Sequence, residues 1–433
     1  MGNWGRQWLA TVPVLVLGSQ FIQYMGMRSV PDHIRRFFTS AAGGASILLL
    51  ASILGFVLAN SSWAADYEAL ITWPMAVSLL GAQGPNTSAG WVSDGLMTLF
   101  FLTVILEIKT EIVSGHLSSP RQIALPLIGA VGGMVAPALT YGLVTHGYPD
   151  ISDGWAIPVA TDAAFTLPII LALGPRVSTA ARIWLMALAI FDDVLGIIVI
   201  ALFYGTSLYW GALVAVCIIA AVLACMNRSG IATVWPYAAG GAFLWVALLH
   251  SGLHPTLAGV ITGLCLPAKP SGGTIRQSTP MDTTARVLGP VVTWGILPLF
   301  GFMNAGFSLA GKHAVMLLAP LPLGIMLGLL VGKPVGVFVT TMLAVRLKIA
   351  TLPSGTSMKT LFGLSLLCGI GFTISIFISG LAFPSSQFVV LAKMGIFAGS
   401  VIAAISGWLW LRFMPAPGYR ARPSGLAPAR GGQ

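Results

Sequence analysis

The sequence predicts an all-α membrane protein with about twelve transmembrane helices. Two features of its composition indicate this class: 56% of the 433 residues are hydrophobic, and only 8% are charged. Soluble domains carry about 25% charged residues, and disordered chains have low hydrophobicity, so neither of those classes fits. Each crossing needs about 20 apolar residues, and the chain has room for about a dozen crossings.

Apolar stretches of the length needed for membrane helices recur along most of the chain. They lie near residues 41–60, 93–113, 122–144, 155–173, 183–204, 210–226, 232–250, 253–268, 287–309, 316–343, 360–382 and 387–411. We therefore predict a twelve-span domain over residues 36–412. Residues 1–35 form an N-terminal extension to which the sequence assigns no role. Residues 413–433 are rich in Pro, Gly, Ala and Arg, which predicts a disordered tail.

The distribution of basic residues predicts the orientation of these spans. If the N-terminus is cytoplasmic, all but three of the 22 Lys and Arg residues fall in segments on that side. Lys312 lies in an outer loop, and Lys333 and Lys393 lie inside spans. This bias predicts that both termini are cytoplasmic. The net charge of +10 does not indicate nucleic acid, because the basic residues form no cluster with interleaved aromatics.

A small set of charged residues falls near the middle of the predicted spans. Asp162, Asp192 and Asp193 lie on the fourth and fifth spans, and Lys333 lies on the tenth. Insertion scales assign each such ionised group a cost of about 2.5–3.5 kcal/mol, so the four groups must face a wet cavity or one another. Three carboxylates against one lysine leave surplus negative charge, which favours a cation pathway over a purely structural ion pair.

The adjacent pair Asp192 and Asp193 suggests how such a pathway works. Neighbouring side chains on a helix point about 100° apart, so one carboxylate can pair with Lys333 while the other faces a cavity. Adjacent carboxylates in a low dielectric resist joint ionisation. Such a group can hold either a proton or a small hard cation, because oxygen atoms suit hard cations. Competition between the two predicts cation–proton exchange, without a cofactor.

Two predicted spans carry residues that interrupt a helix. The fourth contains Pro158, Pro168 and the mid-span Asp162, and the eleventh contains Gly369 and Gly371. One interrupted span in each half of a transporter points to a binding site near the middle of the membrane. Asp162 and the tenth-span lysine could offset the partial charges of the half-helix ends.

Four further residues have less specific interpretations. Glu107, Lys109 and Glu111 end the second span, where they could form a local ion pair or an inner funnel for cations. His254 lies near a predicted water boundary, where a histidine is either simply solvated or a proton sensor.

The motifs resemble those of the NhaA family of bacterial sodium/proton antiporters, over almost the entire chain from Arg35 to Arg412. The matching segments are Arg35–Phe38, Phe100–Leu102, Leu106–Lys109, Gly154–Pro158, Thr161–Asp162, Leu185–Ile190, Asp192–Asp193, Ser251–Gly252 with His254, Thr256–Ile261, Gly332–Pro334 and Gly369–Thr373.

The resemblance implies a specific fold and specific roles. It implies that an inverted repeat relates spans three to five to spans ten to twelve, and that the interrupted fourth and eleventh helices cross. Asp193 would be the principal carboxylate for the ion and proton, and Asp192 would bind Lys333 or the cation in turn. Thr161 and Asp162 would line and balance the site. Such antiporters export Na⁺ or Li⁺ by importing a larger number of protons, and they often dimerise through the first outer loop.

The sequence departs from the family pattern at two places tied to the family's pH activation. Thr110 stands where the inner-mouth pattern Glu-x-Lys-Arg-Glu has arginine. Ala285 and Arg286 stand where an acidic residue and a histidine are usual before the ninth span.

Two other classes of membrane protein use similar residues. An intramembrane aspartyl protease needs two aspartates on separate helices around one water, whereas Asp192 and Asp193 are adjacent and Phe372 follows the Gly369–Gly371 segment. A sodium-coupled symporter for an organic solute would need a larger cavity with aromatic or basic contacts. Sodium-driven uptake independent of protons would favour the symporter. No soluble domain supports a structural or receptor role.

Overall fold

The protein is almost entirely helical in its computed structural model, which describes residues 40–79, 82–113, 120–205, 208–268, 279–309, 311 and 314–414. The α-helices labelled here are α1 Ala41–Ala59, α2 Ala64–Ile71, α3 Met97–Val113, α4 Pro120–Val144, α5 Ala163–Ala172, α6 Thr179–Phe203, α7 Trp210–Arg228, α8 Trp235–Ser251, α9 Leu257–Cys265, α10 Pro280–Val291, α11 Leu297–Ala305, α12 Pro320–Leu327, α13 Lys333–Arg346, α14 Met358–Leu367, α15 Phe372–Ala382 and α16 Ser386–Phe413. The predicted N-terminal extension and residues 415–433 of the predicted tail lie outside the described residues.

Shorter elements join these helices. π-helical segments at Trp91–Leu96, Val292–Ile296 and Gly328–Gly332 lead into α3, α11 and α13, respectively. Single turns cover Ser88–Gly90, Gly174–Arg176 and Ala314–Leu318, and a longer 3₁₀ helix covers Pro149–Val159. A small antiparallel hairpin pairs β1 Ser78–Leu79 with β2 Ala82–Gln83.

Seven helical stretches of the described chain are long and apolar enough to cross a membrane, or nine if each of two bent pairs is one span. The seven are Ala42–Ala59, Ile123–Val144, Thr179–Phe203, Trp210–Arg228, Pro280–Ala305, Pro320–Arg346 and Ser386–Phe413. Three other predicted spans coincide with shorter helices: α3 and α8 have 17 residues each, and α9 has nine. The twelve spans and the inverted repeat therefore stay predictions.

The two bent pairs lie where the sequence predicts interrupted spans. The 3₁₀ helix Pro149–Val159 meets α5 at 41°, and α14 meets α15 at 47°. Asp162, just before α5, has an extended backbone. The two breaks touch each other, because the Asp162 backbone N–H donates to the Ile370 carbonyl oxygen at 2.6 Å. Backbone groups freed by one break are thus bonded at the other, as a non-aqueous interior requires.

Helices α4 and α13 pack closely because both carry glycine at their contact. A Cβ atom added at Gly336 would lie 2.2 Å from the Gly132 carbonyl oxygen, and one added at Gly132 would lie 2.2 Å from Thr340 Oγ1. No larger residue fits without backbone movement. Small residues permit this close approach of membrane helices, and here it brings Lys333, at the start of α13, beside α4.

Hydrogen bonds join the end of α1 to the segment that follows α11, and the short helix α2 to α11 itself. Asn60 Nδ2 donates to the Phe307 carbonyl oxygen at 2.9 Å, and Asn60 Oδ1 accepts from Leu309 N at 2.7 Å. From α2, the Tyr67 hydroxyl donates to the Phe302 carbonyl oxygen at 2.6 Å. Burial raises the pKa of Tyr67 to about 12, so the phenol keeps its proton, and this hydrogen bond, throughout the neutral range.

Helix α7 has the surface expected of a lipid-facing span. Only 11% of the apolar stretch of this helix is buried inside the protein. Val214, Ile218 and Val222 are each more than half exposed, and their spacing of four residues places them on one side of the helix. Exposure of such an apolar surface to water is unfavourable, whereas its contact with lipid hydrocarbon is not.

Candidate ion-binding site

The central contact of the site is a buried ion pair between α6 and α13. Lys333 Nζ lies 2.8 Å from Asp192 Oδ2, and both side chains are almost completely inaccessible. Thr161 Oγ1 donates to the same carboxylate oxygen at 2.6 Å and also lies 2.9 Å from the Cys368 carbonyl oxygen. The structure therefore brings together the fifth and tenth predicted spans and both helix breaks. It selects Asp192, rather than its neighbour, as the partner of the lysine.

Lys333 also makes a backbone contact at the end of a broken helix. Its ammonium group donates to the carbonyl oxygen of Val159, the last residue of the 3₁₀ helix. The last carbonyls of a helix lack intrahelical partners and carry partial negative charge. The positive charge of Lys333 therefore compensates both the negative charge of the Asp192 carboxylate and the partial negative charge of the helix C-terminus.

Asp162 has the complementary position at the starts of two half-helices. It is the N-cap of α5, where its Oδ1 accepts from Ala164 N at 3.0 Å. Its Oδ2 accepts from both the backbone N–H and the hydroxyl of Thr373, at 2.8 and 2.6 Å, at the start of α15. Helix N-termini carry partial positive charge, so one carboxylate stabilises the start of one half-helix at each of the two breaks.

Asp193 has a different environment from the residue before it. Its side chain is buried, yet within the described chain Asp193 Oδ1 has no hydrogen-bond partner. Asp193 instead lines a cavity of about 190 Å³, together with Asp162, Thr373 and Glu107. Most of the remaining wall is apolar. An ionised carboxylate without a charged or hydrogen-bonding partner is energetically unfavourable in an apolar environment. Asp193 is therefore expected to bind either a cation or a proton.

The three candidate residues on α3, Glu107, Lys109 and Glu111, have different surroundings in the structure. Glu107 has an exposed side chain although it lies within the helix bundle, because it faces the cavity. Lys109 Nζ donates to the carbonyl oxygens of Leu264 and Leu266, both at 2.6 Å, and so fastens the end of α9. Glu111 lies one turn beyond Glu107 and is not part of the cavity wall.

His254 lies outside the cavity, in the connection between α8 and α9. Its Nδ1 is 2.8 Å from Thr256 Oγ1, and its Nε2 is 3.5 Å from Asp94 Oδ1. Its ring also packs edge-on against Phe377 at 5.4 Å. The structure therefore does not bring His254 into the ion site, but places it beside a carboxylate at the start of the second predicted span.

A comparison with known protein families identifies the family of this chain. The model described as Na⁺/H⁺ antiporter 1 matches residues 35–411. The chain belongs to this family. The resemblance to NhaA proteins inferred from the motifs is thereby confirmed, and with its apolar helices the protein is a multi-pass membrane protein.

Curated relatives within the Na⁺/H⁺ antiporter 1 family cover nearly the same residues. A protein of Gluconacetobacter diazotrophicus named Na(+)/H(+) antiporter NhaA is 68% identical over 88% of this chain and 97% of its own length. One of Gluconobacter oxydans with the same name is 66% identical over 88% and 94%. One of Escherichia coli O139:H28, also so named, is 44% identical over 90% and 99%. These relatives are named as transporters rather than enzymes.

One residue of the candidate site was not among the candidates predicted from the sequence. Thr373 holds Asp162 through two hydrogen bonds that link residues 211 positions apart. The sequence signal was present, since Thr373 ends the Gly369–Thr373 motif. A threonine in an apolar span usually bonds to its own helix, as Thr166 does to the Asp162 carbonyl oxygen. Only the crossing of the breaks distinguishes the two threonines.

Proposed function

We propose that this antiporter-family protein exports cytoplasmic Na⁺ or Li⁺ in exchange for external protons across the bacterial inner membrane. More protons enter than cations leave, so transport is electrogenic and serves sodium and pH homeostasis. Both termini are cytoplasmic in this proposal. The observation that carries it is Asp193: among the described residues, one oxygen of this buried carboxylate has no hydrogen-bond partner, and the residue lies in the wall of a cavity beside the Asp192–Lys333 ion pair.

Exchange follows from competition for carboxylate oxygens. A Na⁺ or Li⁺ ion entering the cavity reaches Asp193 first, because Asp192 is not part of the cavity wall. Hard cations prefer oxygen ligands, and an ionised carboxylate in this apolar environment requires a positive partner. A proton on Asp193 removes that requirement. The site thus holds a cation or protons in turn.

The neighbouring residues support this competition. Asp192 exchanges Lys333 for the cation, and the Thr161 hydroxyl, already 2.6 Å from Asp192 Oδ2, holds that carboxylate in place. Asp162 keeps the two half-helix starts together while its charge balances them. Glu107 attracts cations into the cavity that it lines.

We further propose that Glu107, Glu111 and His254 set the pH response. Glu107 and Glu111 lie at the predicted inner mouth, and His254 stands beside Asp94. Because Thr110, Ala285 and Arg286 depart from the family pattern at the positions tied to pH activation, the pH threshold and steepness usual in the family are not carried over to this protein.

The decisive experiment measures proton movement in inside-out vesicles that contain the protein. Addition of Na⁺ or Li⁺ is expected to release protons from acidified vesicles, whereas K⁺ is not. Measurements across neutral and alkaline pH give the substrate, the direction and the pH response together. Sodium-driven uptake of an organic solute without proton movement would contradict the proposal and favour a symporter.

The variant Asp193→Asn tests the proposed carboxylate directly. It keeps the shape of the side chain but removes the ionised group, so Na⁺-dependent proton release should fall to the level of vesicles without the protein. Asp150→Asn, the same change at an exposed aspartate, is the matched control and should exchange normally. Membrane insertion is measured in both variants. Normal exchange by Asp193→Asn would remove this residue from the mechanism.

A further inference from the structure

Five basic residues at one end of the helix bundle come from parts of the chain without acidic residues. No aspartate or glutamate lies between Asp162 and Asp192 or anywhere after Asp282, although basic residues recur as far as Arg430. Helices α13, α14 and α16 and the connection between α5 and α6 all lie in these parts of the chain. We call the five residues the basic patch: Arg176, Arg346, Lys348, Lys359 and Arg412.

Aromatic contacts bring three of these helices side by side near the basic patch. The rings of Phe338 on α13 and Phe362 on α14 are 5.5 Å apart, and the ring of Trp410 on α16 lies 4.9 Å from that of Phe362. Trp410 Nε1 also donates to the Lys359 carbonyl oxygen at 2.9 Å. The end of α13, the start of α14 and the end of α16 therefore lie together, and each carries a basic residue of the patch.

The connection between α5 and α6 is bonded to the same region. Arg176 Nη1 donates to the Arg412 carbonyl oxygen at 2.5 Å and lies 3.4 Å from the Met414 carbonyl oxygen. Arg176 thus caps the last carbonyls of α16. Ser178 Oγ is 3.3 Å from Thr356 Oγ1, in the connection from α13 to α14. The elements that carry the basic patch are therefore joined to one another by direct contacts.

The charges of the basic patch are not compensated within the described chain. Four of its five members are exposed, and among the described residues none of the five forms an ion pair with a carboxylate. By contrast, Lys109 on α3 lies between Glu107 and Glu111 in the sequence. Arg286 on α10 is four residues from Asp282, a spacing that brings opposite charges together on a helix. The basic patch therefore has a surplus of positive charge.

Exposed apolar side chains border the basic patch. Leu347 and Ile349 flank Lys348 in the sequence, and both are more than half exposed. Phe413, next to Arg412, is also more than half exposed. A soluble anion would neutralise the charges but leave these apolar side chains in water, which is unfavourable. A phospholipid supplies both a charged phosphate and hydrocarbon, and basic residues clustered at the ends of membrane helices bind anionic headgroups.

We propose that the basic patch binds the phosphate headgroup of an anionic phospholipid, with the bordering apolar side chains against its acyl chains. Phosphatidylglycerol carries the net negative charge that this requires, whereas phosphatidylcholine carries none. Because the patch joins the α5–α6 connection to α13, α14 and α16, a bound lipid should stabilise the packing of these elements. This inference goes beyond the proposed ion exchange and requires only that the patch lies at a membrane surface.

Lipid titration of the purified protein in detergent tests the proposal, with the rise in melting temperature as the readout. Phosphatidylglycerol should stabilise the wild-type protein at a concentration about tenfold lower than phosphatidylcholine, or lower still. Each basic residue at an anionic headgroup contributes about fivefold in affinity. Arg412→Gln should therefore raise the phosphatidylglycerol concentration for half the effect about fivefold, and Lys359→Gln/Arg412→Gln should raise it about tenfold or more.

Arg286→Gln is the matched control, because it removes one exposed arginine outside the basic patch. It should change the half-effect concentration by less than about twofold. Equal values for Arg286→Gln and Lys359→Gln/Arg412→Gln, or equal stabilisation of the wild type by both lipids, would overturn the proposal. The same stabilisation by inorganic phosphate alone would also overturn it, because the ligand would then be a soluble anion. Wild-type protein that binds phosphatidylglycerol but does not exchange ions would overturn the proposed function alone.

Tryptophan fluorescence supplies a second measurement that reports the position of the lipid. Bromine atoms on acyl chains quench nearby tryptophans, so brominated phosphatidylglycerol should quench the wild-type protein in vesicles more than brominated phosphatidylcholine does. Trp410→Phe should remove this excess, because Trp410 lies beside Lys359. Trp235→Phe, the same change at an exposed tryptophan on α8, should retain it. An unchanged excess in Trp410→Phe would contradict a lipid at the basic patch.

Discussion

The adjacent aspartates of α6, Asp192 and Asp193, have different hydrogen-bond and ion-pair partners. Asp192 Oδ2 is held by the Lys333 ammonium and the Thr161 hydroxyl, at 2.8 and 2.6 Å. Asp193 lines the cavity, and its Oδ1 has no hydrogen-bond partner among the described residues. One carboxylate is therefore compensated within the protein, and the other depends on what enters the cavity. This asymmetry is the residue-scale basis of the proposed competition between cation and proton.

Removal of Lys333 should destabilise the protein. In Lys333→Ala, the Asp192 carboxylate keeps its burial but loses its cationic partner, and a broken buried pair costs about 3–5 kcal/mol. We expect a clearly lower melting temperature for the purified protein as well as slower exchange.

The double variant Lys333→Ala/Asp192→Asn distinguishes loss of the pair from loss of packing. It removes the uncompensated charge, so it should be more stable than Lys333→Ala alone. Equal melting temperatures for Lys333→Ala and the wild type would contradict the energetic role of the pair.

At the scale of elements, the site depends on how closely the helices approach. The contact between Gly132 and Gly336 lets α4 pack directly on α13, and the next helical turn places Lys333 opposite Asp192 on α6. The two helix breaks are joined by Asp162, whose backbone and side chain bond to residues of the other break. Displacement of either contact would move the charged groups relative to each other.

Gly132→Ala should separate α4 from α13. Its Cβ would lie 2.2 Å from Thr340 Oγ1 and 2.7 Å from the Gly336 carbonyl oxygen, so side chain and backbone must both shift, at a cost of about 1–3 kcal/mol. Reduced thermal stability and slower exchange are expected together.

The same substitution at Gly142 provides the control within α4. A Cβ there meets no atom within 4 Å, so Gly142→Ala should leave stability and exchange unchanged. If Gly132→Ala behaved like Gly142→Ala, the close helix approach would not be important for the site.

For the whole molecule, the main prediction concerns topology. The excess of Lys and Arg on one side predicts cytoplasmic termini, which places the connection after α4 outside and the connection after α13 inside. His146 and Ser354 are exposed residues in these two connections. The predicted first outer loop contains the β1–β2 hairpin, and we propose that this loop is the contact of a homodimer.

Thiol labelling tests this topology in a variant with its four native cysteines replaced. A membrane-impermeant reagent should label His146→Cys in intact spheroplasts and should label Ser354→Cys only in inside-out vesicles, because the bilayer separates the two connections. The reverse pattern would invert the orientation, and labelling of both from one side would reject the predicted span count between them.

Patterns in the amino-acid sequence were enough to predict the membrane class, the positions of the two helix breaks and the set of buried charges. These follow from local properties: hydrophobicity over about 20 residues, prolines and glycines within a span, and the cost of charge in an apolar environment. The sequence also indicated that Asp192 and Asp193 must face different sides, because that follows from the helix period.

The packing of the helices was needed to show which aspartate pairs with Lys333, that Thr373 bonds to Asp162, and that Glu107 faces the cavity. These contacts join residues far apart in sequence, 211 positions in the case of Thr373 and Asp162. Their geometry depends on the rotation and crossing of packed helices, which no local pattern specifies.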